Sequence, residues 1–199
     1  MLAIAPAQLL RGQGIIAHLG KYLLPWGNSA LVVAGRTAKG LVTPCLEHAL
    51  AASQIVVHYA PAIADCTDTN LSILREAVTK HQATMIIGAG GGKALDAAKL
   101  IGEQTNLPVI TIPTTAATCA AWTALSNVYS DEGAFSYDVT LSRCPNLMLV
   151  DYELITSAPP RTLVAGIGDA IAKWYEASIS SGSSDRTMVI AAVQEARIL

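Results

Sequence analysis

The stretch Ile86-Ile87-Gly88-Ala89-Gly90-Gly91-Gly92-Lys93-Ala94-Leu95-Asp96 joins an apolar run to four glycines in five positions and then to the start of a helical pattern. Its order predicts a strand that turns through glycine into a helix N-terminus. Without Cβ atoms such a turn can present backbone N–H groups at close range, and a helix start favours negative charge, so the segment suits a pyrophosphate. The same letters also describe a tight strand-to-helix turn whose glycines serve packing alone. Two motifs are excluded. Lys93 lacks the Ser or Thr and the four-residue spacing of a Walker loop, and the G-x-G-x-x-G fingerprint expects an acidic residue at the end of the next strand.

Outward from this turn, apolar runs of strand length alternate with helical patterns. Runs at 31–34, 54–59 and 84–87 precede helices expected at 38–52, 70–81 and 94–103, and a further strand is expected at 109–112. The runs do not alternate in polarity, which is the mark of strands covered on both faces, so the fold class is α/β with a doubly wound parallel sheet. Ligands of such sheets lie beyond the carboxyl ends of the strands, which directs attention to the loops after Ala34, Ile87 and Ile112.

Composition agrees with a buried sheet. Of 199 residues, 52% are hydrophobic, 14% charged and only 5% aromatic, which excludes a disordered chain. The net charge of −2, with Lys and Arg scattered singly, excludes the basic stripe of a nucleic-acid binder and a polybasic membrane patch. Residues 104–130 carry no charge, yet Pro108, Pro113, Asn106, Asn127 and repeated Thr disqualify them as a membrane span. No basic region precedes an apolar stretch within residues 1–11, so a cytoplasmic location is expected. The four cysteines (Cys45, Cys66, Cys119, Cys144) form no C-x-x-C pair and are expected to be reduced thiols. The C-x-x-H of Cys45 and His48 has no second pair beside it and makes a poor metal site.

Past Thr123 the pattern changes. Residues 126–129, a turn at 130–133 and residues 135–141 read as a hairpin, and 147–150 as a strand ending at Asp151. From Pro159 onward the pattern is helical, with Leu163, Ile167, Ile171 and Trp174 spaced three or four apart; Ser183 to Asp185 could cap another helix reaching Leu199. These two helices have little to pack on. Residues 1–157 are therefore expected to be one α/β domain, and the helices of 158–199 the start of a second domain, unfinished in a truncated chain. Apolar faces bearing Leu163, Ile167, Ile171 and Val189 would be left exposed, and self-association into a homo-oligomer is expected.

Two more segments could carry chemistry. Thr111-Ile112-Pro113-Thr114-Thr115-Ala116-Ala117-Thr118 puts hydroxyls after a strand end, suited to a ribose, a diphosphate or a carboxamide, or equally to a helix cap. Ala165-Gly166-Ile167-Gly168-Asp169-Ala170 sets one carboxylate inside an apolar helix, where a buried Asp must be paired, capped or bound to a cation.

In this order, GGGKALDAAK (90–99), IPTTAATCAAWTALSNVYSDEG (112–133) and PNLMLVDYELITSAPPRTLVAGIGDAIAKWYEA (145–177) resemble the iron-containing alcohol dehydrogenase superfamily, on its glycerol-dehydrogenase-like branch. The resemblance covers essentially the whole chain. It implies an N-terminal nucleotide-binding domain and a C-terminal helical domain, with a divalent metal (zinc or iron) and a small-molecule substrate between them. Gly90, Gly91, Gly92 and Lys93 would hold the pyrophosphate of NAD or NADP, with Asp96 near the same cleft. Thr114, Thr115, Ala116 and Ala117 would line the cofactor, and Thr123, Leu125 and Tyr129 its nicotinamide half. Asp169 would be the first metal ligand and a catalytic residue, since such a metal polarises the substrate oxygen while hydride passes to or from the nicotinamide.

The chain departs from the branch in three places. Cys119 stands where glycerol dehydrogenases carry a substrate-contacting Asp, and 118–122 (TCAAW) looks like a subgroup that reduces 2-oxo acids to hydroxycarboxylic acids. Core packing is the other role open to Cys119. Ala34-Gly35-Arg36 replaces the acidic residue of NAD-preferring members, so Arg36 either pairs with the 2′-phosphate of NADP or is an exposed charge at a helix start. The family's remaining metal ligands are histidines, whereas His18, His48, His58 and His81 all lie in the nucleotide half and read as surface or helix-end residues. One carboxylate does not hold a catalytic metal, for which three protein ligands are usual.

The expected function is a metal-dependent NAD(P) oxidoreductase acting on a small alcohol, polyol or 2-oxo acid. One alternative is a dinucleotide-binding fragment without a complete catalytic site. The other is a dehydroquinate-synthase-like lyase, disfavoured by the 118–122 and 165–169 segments.

Overall fold

A computed structural model of the chain describes residues 5–180. Six strands form one wholly parallel sheet: β1 (Gln8–Gly12), β2 (Ser29–Ala34), β3 (Val56–Tyr59), β4 (Met85–Gly90), β5 (Val109–Pro113) and β8 (Leu147–Asp151), in the order β1-β8-β5-β4-β2-β3. Between β5 and β8 the chain makes an antiparallel hairpin, β6 (Leu125–Tyr129) and β7 (Phe135–Thr140). The helices are α1 (Gly20–Leu23), α2 (Arg36–Ala51), α3 (Asp68–His81), α4 (Gly92–Thr105), α5 (Tyr152–Thr156) and α6 (Pro160–Ser180), with single 3-10 turns at Ile15–His18 and Leu24–Trp26.

The lack of alternation in the strands has the expected cause. Ala30, Val32 and Ala34 of β2 pack with Ala38, Val42, Leu46 and Leu50 of α2 on one side of the sheet. Leu31 and Val33 pack with Leu71 and Leu74 of α3 and Ala97, Ala98 and Ile101 of α4 on the other. Both faces are apolar because both are covered. Helix α4 lies unusually close to the sheet, since a Cβ on Gly88 would sit 2.4 Å from that of Ala98.

The crossover through α2 runs outward from β2 to the edge strand β3, whereas α3 brings the chain back past β2 to β4. The loops that leave β2 and β4 therefore part in opposite directions. This switch point, where a crevice opens beyond the strand ends, lies between Ala34 and Gly90.

Several expectations need correction. The strand at 31–34 is the second in the chain, because β1 precedes it; β1 is an edge strand, largely exposed and with an Arg in its sequence, so it carries no apolar run. The five-residue α5 was not expected and follows from Asp151, whose carboxylate accepts from the N–H of Glu153 at 2.9 Å as its N-cap. The hairpin and its turn match the sequence reading, with Gly133 at φ +86° and its N–H bonded to the Ser130 carbonyl at 2.9 Å. Helix α6 starts at Pro160 as expected, while the proposed cap at Ser183 to Asp185, the helix to Leu199 and Val189 lie outside the described residues. No helix among the described residues is long and apolar enough to cross a membrane.

Candidate functional site

Four loops converge on the switch point. The turn between β4 and α4 has Gly90 at φ +141°, a left-handed value that only glycine holds without strain, with Ala38 and Ala94 both 3.3 Å from where its Cβ would be. Gly91 then occupies the N-cap position in extended geometry, with no side chain capping the helix. A Cβ there would meet nothing within 4 Å. Open space above uncapped helix N–H groups is the geometry that the sequence predicts for an anion cradle.

The loop after β5 is fastened to this turn, as the Thr114 N–H donates to the Gly90 carbonyl at 3.1 Å and the Thr118 hydroxyl lies 3.2 Å from a Cβ placed on Gly92. No α-helix follows β5, and Thr118 takes the capping role for the single turn at 119–123, its hydroxyl accepting from the Ala120 N–H at 3.1 Å, whereas Thr114 and Thr115 cap no helix. Thr114 is buried, Thr115 and Ala117 half-buried and Ala116 exposed. From the β3 side, the Ile63 N–H reaches the Ala34 carbonyl at 3.3 Å, bringing the 60–67 loop beside the end of β2. This loop contributes a residue that the sequence did not single out. Asp65, almost buried, accepts from the ammonium of Lys93, which also lies 5.4 Å from the centre of the Tyr129 ring. Lys93 itself is half exposed.

Tyr129 is placed by the hairpin, its N–H donating to the Cys66 carbonyl at 2.8 Å. Burial pushes the neighbouring Cys66 thiol up to about 12, with the charges of Asp96, Asp65 and Asp68 acting in the same direction. Farther along α4, Asp96 and Lys99 are both buried and form an ion pair at 3.0 Å. Burial raises the pKa of Asp96 and lowers that of Lys99, each partly countered by the other's charge. Asp96 therefore faces β6 and the interior, with its partners on the hairpin side of α4. Arg36 is the first residue of α2, exposed just past the end of β2.

Residues 6–152 match the iron-containing alcohol dehydrogenase family. The chain belongs to this family. It is 52% identical over its whole length to an uncharacterized oxidoreductase of Synechocystis sp., covering 51% of that protein. It is 38% identical to a glycerol dehydrogenase of Escherichia coli O6:H1 over 92% of the chain and 50% of the relative. Hydroxycarboxylate dehydrogenase A of Escherichia coli K12 is 43% identical over 57% of the chain and 31% of the relative. A solved structure of a probable glycerol dehydrogenase from Sinorhizobium meliloti superimposes with a TM-score of 0.84 at 27% identity, covering 99% of the chain and 55% of that structure. The chain thus spans about half the length of the curated relatives it matches.

Within this iron-containing alcohol dehydrogenase fold, α6 comes back over the site. Gly166 makes that possible: a Cβ on it would lie 2.2 Å from the Ala116 carbonyl oxygen, so only a glycine lets the helix approach the Thr114–Ala117 loop this closely. Three residues farther on, Asp169 is exposed, not buried as expected, and its partner is Lys173 at 3.6 Å. It lies on the solvent-facing part of α6, among apolar side chains that are themselves exposed. Cys119 is likewise exposed and is not part of the described core. Among the described residues no group of three His, Cys, Asp or Glu side chains could hold a metal ion. His18 and His48 are exposed, and His58 and His81 stack on each other at 4.3 Å away from Asp169's helix, on β3 and the end of α3.

Proposed function

We propose that residues 1–157 form the dinucleotide-binding domain of an NAD(P) oxidoreductase acting on a small alcohol, polyol or 2-oxo acid, and that 158–199 begin its helical domain. The observation that carries this reading is the open, uncapped helix start at Gly91, set at the switch point of a doubly wound sheet. The backbone of Gly90, Gly91 and Gly92 and the ammonium of Lys93 would hold the pyrophosphate, with Asp65 keeping Lys93 beside the turn. Thr114, Thr115, Ala116 and Ala117 would line the cofactor, and Thr123, Leu125 and Tyr129 its nicotinamide half. Arg36 favours NADP by offering a charge to the 2′-phosphate. The nicotinamide, when bound, supplies or accepts the hydride.

Substrate contact falls to the exposed Cys119, where a thiol replaces a carboxylate and so disfavours a polyol that needs a charged acceptor. A hydroxycarboxylate is the better match, in keeping with the 43% identity to hydroxycarboxylate dehydrogenase A. Asp169 offers one donor to a divalent zinc or iron, and alone it does not make a metal site. None of the relatives named above is a lyase. A homo-oligomer is expected, supported by the exposed row of Leu163, Ile167 and Ile171 on α6, and a cytoplasmic location is the expectation from the sequence.

The test is a calorimetric titration of the full chain with NADH and with NADPH. Saturable binding of at least one is expected, and binding of neither overturns the reading. A second reading, dinucleotide binding without turnover by this chain alone, rests on Asp169 being one carboxylate where three protein ligands are usual. It predicts no one-to-one Zn²⁺ site in the same calorimeter; a stoichiometric site lost in Asp169→Ala would refute it.

A further inference from the structure

Lys99 is only 2% exposed, yet it is charged and lies six residues beyond Lys93 on α4. Its ammonium is fully engaged. It meets the Asp96 carboxylate at 3.0 Å, the Thr123 carbonyl at 3.2 Å, the Thr123 hydroxyl at 3.3 Å and the Leu125 carbonyl. Asp96 completes the arrangement, since its carboxylate accepts from the Asn127 backbone and its carbonyl accepts from the Ser126 hydroxyl at 3.0 Å. Four of the five residues from Thr123 to Asn127 are thereby tied to one turn of α4. From the opposite side the Thr111 hydroxyl donates to the Ala121 carbonyl at 2.8 Å, fixing the same loop to β5.

An apolar contact would dock this hairpin at lower cost, because burying an ion pair is seldom stabilising compared with hydrophobic residues of the same volume. What the pair adds is direction. Hydrogen bonds to particular carbonyls fix where the backbone stands, whereas apolar packing tolerates sliding. The same rigid helix carries the glycine turn at its start, about 9 Å along the axis from Lys99.

We propose that Lys99, supported by Asp96, is a positioning residue that fixes segment 123–125 relative to the glycine turn, so that the two halves of a dinucleotide meet surfaces already in register. This rests on the reading that the glycine turn takes the pyrophosphate and residues 123–129 the nicotinamide half. Lys99 itself touches no ligand.

The test separates the two halves of the ligand. Affinities of the full chain for NADH and for ADP-ribose, which lacks the nicotinamide ring, are measured calorimetrically in wild type and in Lys99→Met. NADPH and 2′-phospho-ADP-ribose replace them if the wild type prefers the phosphorylated cofactor. The variant is expected to bind ADP-ribose within about twofold of wild type and NADH about tenfold more weakly, the order of one displaced set of polar contacts. The double variant Asp96→Asn/Lys99→Gln removes both charges while keeping amide donors and acceptors, and is expected to show the same split if Lys99→Met does not fold. Equal losses for both ligands, or no loss for either, overturn the proposal, as does failure of both variants to fold, which makes the pair a folding element. If the wild type binds neither ligand, the assignment of the glycine turn has failed, and this proposal falls with it.

Discussion

Gly91→Val puts a branched side chain into the space on which the dinucleotide reading depends. In the free chain the substitution is expected to be well tolerated. Gly91 sits at φ −86°, ψ −176°, an extended conformation natural to valine, and nothing lies within 4 Å of its added Cβ. The fold loses only a favourable N-cap residue, on the order of 1 kcal/mol or less. A bound pyrophosphate would have to share that space with two methyl groups and give up N–H contacts, costing about 2–4 kcal/mol, or roughly a 30- to 900-fold weaker dissociation constant. Calorimetry with NADH and NADPH, paired with a thermal melt, reads both effects on one sample. Gly88→Val is the contrasting control, because a Cβ at Gly88 collides with Ala98 at 2.4 Å and should lower the melting temperature. Unchanged dinucleotide affinity in a folded Gly91→Val chain would refute the cradle, and a collapsed fold would refute the claim that the position is open.

Arg36→Asp should shift preference from NADPH towards NADH by roughly tenfold to a hundredfold, through loss of one charge-assisted contact; an unchanged ratio of dissociation constants would leave Arg36 a plain surface charge. The Cys66 thiol, raised from 9.0 to about 12, keeps its proton in the folded state while the unfolded chain releases it, so stability should fall as pH rises through that window. Lys99, lowered from its usual value, acts in the opposite sense below 10.5, so the comparison is with Cys66→Ala in urea unfolding, where the alkaline decline should flatten. On α6, Gly168→Ala should stabilise by about 0.5–1 kcal/mol from helix propensity. The same change at Gly166 should destabilise by about 1–3 kcal/mol, because its Cβ runs into the Ala116 carbonyl. Equal effects at the two positions would mean that α6 does not rest on the loop.

The α/β class was legible because β2, β4 and β5 are buried on both faces, which leaves an unbroken apolar run in the sequence. Edge strand β1 has no such constraint and so left no pattern. The glycine turn announced itself through residue type, since positive φ at Gly90 and close approach at Gly88 both demand glycine. Asp65 was invisible: its role comes from a loop brought next to Lys93 by the strand order, and nothing in its neighbours' spacing encodes that. Lys99 could have been found, because Asp96 and Lys99 are charges three apart on a helix whose other residues from Ala94 to Ile101 are apolar. The exposure of Asp169 was not legible, because its position within an apolar helix suggests burial, and burial depends on what covers that helix.

Asp151 gives the sheet an order of assembly. Its carboxylate takes the N–H groups of Gly14 at 3.1 Å and Ile16 at 3.0 Å while capping α5, and among the described residues β1 pairs only with β8, Gln8 opposite Leu147. On a ribosome β1 thus has no described strand to pair with until residue 151 has emerged. Closing so long a loop is entropically slow, and an exposed strand edge is an invitation to other chains in the meantime. Gln8 and Arg11, the two polar side chains of β1, make that waiting segment a poorer template for other chains.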